Sequence, residues 1–196
     1  AVQALEACQH QADFAKLDRY LEGLRKERFR ARNEDELVDC LEELLYLLLF
    51  FDIEPEMMLR FAQTYDQAAA RVYGAVLPRP ITRRPGPVRV GYLSADLRNH
   101  VMGKMMWQAI AHHDRASFEL HFYANQRESD AWTQRFEAAG KRFVAIAGMD
   151  DRAAVATIVD DDLDLLVDLS THTRGARPGI LARKPARVQL THVASA

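Results

Sequence analysis

The sequence predicts an α/β protein in which a helical N-terminal segment precedes a doubly wound parallel sheet. Three observations point to this fold class. Apolar residues recur at helical spacing through residues 1–77, a proline-rich linker follows at 78–87, and short apolar runs then alternate with helical stretches through 88–196. Alternation with connections of a few residues is typical of parallel sheets that carry helices on both faces.

The N-terminal segment predicts three helices. Leucines recur at helical spacing between residues 17 and 24. Asn33, with Glu36 three residues later, has the pattern of a capping box and begins a leucine-rich helix that runs to Leu48. Residues 52–55 break this helix, and a third helix is expected at 56–73. No 34-residue repeat is detectable here, so the segment by itself does not predict a repeat array.

The part after the linker predicts five strands and four helices. Strands are expected at 88–93, 118–123, 142–146, 163–169 and 187–193. Helices are expected between them, at 101–113, 131–139, 151–159 and 177–183. The run at 163–169 is almost continuously apolar, which is typical of a buried parallel strand.

The loop after the first strand is the first candidate site, because such sheets bind ligands outside the carboxyl ends of their strands. Asp96, Asn99, His100 and Gly103 lie in this region. His100 is expected at the start of a helix, where the helix dipole disfavours an imidazolium. A neutral imidazole can accept a proton or orient a hydroxyl. The alternative is that His100 and Asn99 only cap the helix.

The loop after the fourth strand is the second candidate site. His172, Thr173 and Arg177 lie there and could bind a sugar or a phosphate. The alternative is that Asp168 and Thr173 only fix the turn. Position alone does not separate these two interpretations.

Composition and missing motifs exclude several functions. A net charge of −2 gives no electrostatic reason to expect nucleic-acid binding. The longest apolar run, 44–51, is too short to span a membrane. No GxGxxG follows the first strand, which argues against a dinucleotide. The two cysteines have no metal-site spacing and suit a reducing cytoplasm. The Asp160–Asp162 run predicts a solvated turn rather than a metal site.

Residues 88–104, VRVGYLSADLRNHVMGK, contain R-[IV]-G-Y followed by S-x-D-[FL]-x-x-H, with His100 at the last position. This block resembles the one that opens the catalytic region of the O-GlcNAc transferase-like glycosyltransferases. Residues 163–177 and 183–189 resemble two later blocks of the family, in the same order. Helices at 8–75 resemble, less specifically, those that join the family's tetratricopeptide repeats to its catalytic region.

This resemblance implies a GT-B architecture, with two Rossmann-like lobes and the active site between them. The family transfers a sugar, usually N-acetylglucosamine (GlcNAc), from a UDP-sugar to Ser or Thr of proteins with inversion and without a metal ion. By this resemblance residues 88–196 would be an incomplete N-terminal lobe of a bacterial member, and the cysteines noted above predict a cytoplasmic location. His100 would lie near acceptor and donor, and Asp96, Asn99, Gly103, His172, Thr173 and Arg177 would line the substrate site.

The resemblance also implies what this chain lacks. Most UDP contacts in the family come from a second lobe, which is expected after residue 196 and would pack against residues 88–196. The chain alone is therefore expected to bind UDP poorly and to transfer no sugar. Val101 stands where the family often has proline, and Thr171–His172 stand where it has Gly-Tyr. An Asn-directed or small-molecule glycosyltransferase and a non-catalytic protein-binding scaffold stay open as alternatives.

Overall fold

The fold is described from a computed structural model, which covers residues 22, 31–48, 53–74, 76–77, 80, 82, 85–171, 173 and 175–192. The chain divides into two compact units, Ala1–Gly74 and Ala75–Ala196. The first is helical where described, and the second contains a five-stranded, all-parallel sheet, so the predicted fold class is confirmed. The predicted helix around residues 17–24 lies outside the described residues. A search of the described helices finds none long and apolar enough to cross a bilayer.

Two helices, α1 (Glu34–Leu48) and α2 (Pro55–Tyr73), form the described part of the first unit. Asn33 caps α1 as predicted, because its Oδ1 accepts a hydrogen bond from the Glu36 backbone 2.8 Å away. Only this half of the expected capping box forms, since the Glu36 carboxylate accepts from the backbone and side chain of Arg32. Buried side chains of the two helices pack together: Leu41, Leu44, Leu45, Leu48, Met57 and Phe61.

All five predicted strands are present, and no end differs from its prediction by more than two residues. They are β1 (Val88–Ser94), β2 (Phe118–Ala124), β3 (Arg142–Ala145), β4 (Leu165–Asp168) and β5 (Val188–Thr191). Their order in the sheet is β3-β2-β1-β4-β5, and every pair of neighbours is parallel. The order reverses at β1, so the point where a doubly wound sheet binds ligands lies between the carboxyl ends of β1 and β4.

Four helices cover the two faces of the sheet. They are α3 (Val101–Ala111), α4 (Ala131–Ala139), α5 (Asp151–Asp160) and α6 (Pro178–Ala182). Successive strand residues point to opposite faces. Accordingly, Tyr92 and Phe122 pack in the cluster that contains buried residues of α3 and α4, and Leu93 and Tyr123 pack in the cluster that contains those of α5 and α6.

The turn that leads from α5 to β4 is buried in part, which corrects the prediction of a solvated turn at Asp160–Asp162. The Asp161 carboxylate is 7% exposed, accepts from the Tyr123 hydroxyl at 2.7 Å and pairs with Arg142 at 2.6 Å. Burial and this carboxylate raise the pKa of Tyr123. The sequence missed the partners because β2 and β3 supply them across the fold.

Candidate functional site

The loops that follow β1 and β2 are joined at the carboxyl edge of the sheet. We call them the β1 loop (95–100) and the β2 loop (125–130). The side chain of Gln126 binds the backbone of Leu97 in both directions, since its Oε1 accepts from the amide and its Nε2 donates to the carbonyl, each at 2.8 Å. Asp130 accepts a further hydrogen bond from the β1 loop backbone at 2.7 Å. These bonds hold the β1 loop in a defined conformation.

His100 is the N-cap of α3 and still presents its side chain to solvent. Its backbone is extended, with φ −134° and ψ 156°, and its Nδ1 accepts a hydrogen bond from the Met102 amide at 3.3 Å. Capping, one of the two predicted roles, is therefore observed. The side chain nevertheless stays 42% exposed. A neutral imidazole that accepts at Nδ1 carries its proton on Nε2, so His100 offers a hydrogen-bond donor there.

Asp96 and Asn99 flank His100 in the β1 loop. The Asp96 carboxylate is 16% exposed, with Oδ1 3.3 Å from the Arg98 guanidinium and Oδ2 3.6 Å from His100 Nδ1. Arg98 also pairs with Glu128 of the β2 loop at 2.8 Å. Asn99 is exposed, and its backbone amide donates to the Asp130 carboxylate. Substrate binding by Asp96 and Asn99 stays a prediction.

Gly103 lies in the first turn of α3, directly beneath the β1 loop. It is buried, and a Cβ at this position would lie 2.5 Å from the carbonyl oxygen of Arg98 and 2.7 Å from that of Asp96. Only a residue without a side chain permits this approach. The packing of loop on helix accounts for the glycine, and its predicted contact with substrate is untested.

The β4 loop (169–177) is shaped by its own side chains. Buried Asp168 accepts from the amides of Ser170 at 3.1 Å and Thr171 at 2.9 Å, and burial raises the pKa of its carboxyl. The Thr173 hydroxyl donates to the Ser170 carbonyl at 2.6 Å. Asp168 and Thr173 thus fix the turn, one of the two predicted roles. Thr171 has φ +51°, a conformation that a β-branched residue rarely adopts.

Arg177 joins the β4 loop to its neighbours through its guanidinium. It donates to the Asp151 carboxylate at 2.7 Å, to Asn125 Oδ1 at 3.0 Å and to the Met149 carbonyl at 2.9 Å. The side chain is only 15% exposed. These bonds give Arg177 a bracing role, and its predicted contact with substrate stays a prediction.

Residues that sequence reasoning missed connect the three loops. Ser170 Oγ accepts from the Ala95 amide at 3.2 Å, which ties the β4 loop to the β1 loop. Asn125 Nδ2 donates to the Gly175 carbonyl at 2.8 Å, which ties the β4 loop to the β2 loop. Their position in the sequence could have indicated this role for Asn125 and Gln126, because they are the first polar residues after β2. His172 lies outside the described residues, and its place in the site stays a prediction.

Metal ligands do not gather in the part of the chain that the structure describes. A search of these residues finds no group of three or more His, Cys, Asp or Glu side chains placed to hold an ion. The side chains of the β1 loop offer an accessible imidazole, a carboxylate beside it and an exposed amide.

Comparisons with known proteins show the family to which the chain is similar. A probable UDP-N-acetylglucosamine–peptide N-acetylglucosaminyltransferase of Arabidopsis thaliana, SEC, is 30% identical over 117 residues, which are 58% of this chain and 12% of that protein. A UDP-N-acetylglucosamine–peptide N-acetylglucosaminyltransferase of Caenorhabditis elegans is 28% identical over 105 residues, which are 53% and 9% of the two chains.

A solved structure and a family model give the same result. The K341M mutant of Thermobaculum terrenum O-GlcNAc transferase matches with a TM-score of 0.71 and 30% identity, over 81% of this chain and 31% of that one. This chain therefore spans only a small part of the relatives that it matches. The model of Glycosyl transferase family 41 matches residues 74–194, which include the whole sheet and all three loops. The chain belongs to glycosyltransferase family 41.

Proposed function

We propose that this chain forms the acceptor-side part of an inverting glycosyltransferase, which moves GlcNAc from a UDP-sugar to Ser or Thr hydroxyls of a protein. Membership of the family supports the reaction class. The names of the curated relatives and of the solved structure support GlcNAc as the sugar and a peptide as the acceptor. Because the chain covers a small share of each, the remaining parts of the reaction are assigned to segments outside residues 1–196.

The observation that carries the proposal is the accessible imidazole of His100 at the point where the strand order reverses. The polar side chains of Gln126 and Arg177, by contrast, are used in holding the loops together. His100 is held by one bond on Nδ1 and keeps Nε2 for a ligand. An imidazole fixed at a ligand-binding edge can orient a hydroxyl or exchange a proton with it.

Stabilisation of the departing diphosphate is assigned to another part of the protein. Inverting transfer needs the acceptor hydroxyl, a proton acceptor and a stabilised leaving group in one pocket. The guanidiniums of Arg98 and Arg177 are paired with Glu128 and Asp151 in this chain. We therefore assign the diphosphate contacts to a second lobe that packs on residues 88–196. The chain alone is expected to bind UDP weakly.

The proposal extends to the setting of the reaction. A UDP-sugar is the donor, and no metal ion is needed. Cys40 is free and exposed, which suits a reducing cytoplasm. The helices of the first unit suit the end of a tetratricopeptide-repeat segment.

Calorimetry with UDP and a transfer assay on the full-length protein test the proposal. The variants are His100→Ala and, as a matched control, His112→Ala, an exposed histidine at the opposite end of α3. The substrates are UDP-GlcNAc and two peptide libraries, one with Ser and Thr as acceptors and one with Asn. We expect all three proteins to bind UDP alike, with transfer to Ser and Thr reduced about 100-fold or more only in His100→Ala.

Each contrary result removes a different part of the proposal. A wild-type protein that does not bind UDP would refute the donor and favour the scaffold alternative. Transfer of the sugar to the Asn library alone would show that the acceptor is Asn rather than Ser or Thr. A wild-type transfer rate in His100→Ala would show that the imidazole of the β1 loop takes no part in the transfer reaction.

A further inference from the structure

Two interactions of His100 Nδ1 exclude each other. In the capped state Nδ1 accepts from the Met102 amide at 3.3 Å, which requires its lone pair. Asp96 Oδ2 lies 3.6 Å from the same nitrogen, slightly beyond hydrogen-bonding distance. A bond to this carboxylate would require a proton on Nδ1. The atom can therefore serve the cap or the carboxylate, but not both.

The choice between these states decides what His100 can do to a substrate. In the capped state a neutral imidazole holds its proton on Nε2 and can only donate there. To accept a proton at Nε2, the ring must carry its other proton on Nδ1 and give up the bond to Met102. Among the described side chains around His100, Asp96 supplies the carboxylate that would receive that proton's hydrogen bond.

Asp96 is placed for this task by contacts that do not involve His100. Its backbone amide donates to Ser94 Oγ at 2.9 Å, which fixes the main chain at the end of β1. Its Oδ1 is paired with Arg98 at 3.3 Å, and this pairing leaves Oδ2 towards the imidazole. Since the side chain is 16% exposed, the charge is only partly screened by water.

From these contacts we propose that Asp96 is a positioning residue that converts His100 from a helix cap into a proton acceptor. The proposal rests on the function proposed above. In the transfer, the acceptor hydroxyl loses its proton to His100 Nε2 while its oxygen bonds to the sugar carbon. The bond from that carbon to the UDP oxygen breaks, and UDP leaves with the electron pair. Asp96 compensates the imidazolium that results.

The tautomer of His100 gives a readout that needs no enzymatic activity. Nitrogen-15 NMR of the histidine rings in the 196-residue chain distinguishes a proton on Nδ1 from one on Nε2 at a single neutral pH, with the His100 signals assigned by loss in His100→Ala. The test variant is Asp96→Asn, which keeps the size of the side chain. The control is Glu128→Gln, which loses the other partner of Arg98 but does not touch His100.

We expect Asp96→Asn to lower the Nδ1–H fraction of His100 at least fivefold and Glu128→Gln to leave it unchanged, because a carboxylate accepts a stronger hydrogen bond than an amide. In the full-length protein, Asp96→Asn should lower kcat at least tenfold, with little change in the KM for UDP-GlcNAc and in the urea midpoint. Asp96→Glu should recover part of this loss.

Two results would overturn the proposal. One is an equal Nδ1–H fraction in wild type and Asp96→Asn. The other is a wild-type kcat in Asp96→Asn despite a changed tautomer. A failure of the proposed function looks different: the tautomer would respond to Asp96 as expected, while the wild-type protein would transfer no sugar.

Discussion

Replacing Gly103 with alanine is expected to displace the loop that carries His100. The added Cβ would lie 2.5 Å and 2.7 Å from two backbone carbonyl oxygens, whereas ordinary contacts begin near 3.4 Å. Because backbone atoms cannot rotate away, we place the cost of overpacking at about 2–3 kcal/mol. Alanine returns about 1 kcal/mol in helix propensity. The free energy of unfolding should therefore fall by about 1–2 kcal/mol.

Tryptophan fluorescence in urea measures this change in the α/β unit. The chain has two tryptophans, Trp107 and Trp132, and both lie in that unit. With an m value of about 1.5–2 kcal/mol/M, the urea midpoint should fall by about 0.5–1.3 M. Gly148→Ala is the matched control, since a Cβ there meets nothing within 4 Å. Its midpoint should stay within experimental error of the wild type or rise slightly.

A Gly103→Ala protein as stable as the wild type, or more stable, would refute the reasoning. It would show that the β1 loop moves away from α3 at little cost. The close approach of loop to helix would then not be the reason for a glycine at this position, and the predicted contact with substrate would become the better explanation.

Three further predictions concern the β4 loop and Asp168, the residue that precedes it. Thr171→Gly should raise the free energy of unfolding by about 1 kcal/mol, because it relieves a positive φ at a β-branched residue; a lower urea midpoint would contradict this. Arg177→Lys should lower the free energy of unfolding by about 2 kcal/mol, since one ammonium cannot replace the hydrogen bonds to Asp151, Asn125 and the Met149 carbonyl. Unchanged stability with weaker UDP binding would make Arg177 a ligand contact instead. Burial raises the pKa of Asp168, so folding of the wild type takes up a proton at pH values between the unfolded and the folded pKa. The free energy of unfolding of the wild type therefore falls as pH rises through this range. The stability of Asp168→Asn relative to wild type should therefore rise between pH 4 and pH 7 in urea unfolding.

The elements of this fold were predictable because each depends on local pattern. The helix at Ala131–Ala139 has the predicted ends, and β1 and β2 each extend one residue beyond prediction. The strand order was not predicted, since pairing of β1 with both β2 and β4 depends on crossovers rather than on local composition.

The candidate site was predictable in position and only partly in role. His100 was found because strand, loop and helix follow one another in the sequence, and capping was one of its two predicted roles. Arg177 was expected to face a ligand, but its partners come from the loops after β2 and β3, which only the folded sheet brings near. The constraint on Gly103 likewise comes from the path of the β1 loop across α3.

The central position of β1 has a consequence for synthesis of the protein. β1 is the first strand of the described sheet to be made, and β2 follows soon after, but β4, the other neighbour of β1, begins only at Leu165. At 5–20 residues per second, the intervening residues 95–164 take roughly 4–14 s to translate. During that time one edge of the nascent β1 strand is unpaired while its apolar side chains are already made. Slower translation across residues 95–164 should therefore increase chaperone binding and aggregation of the nascent chain.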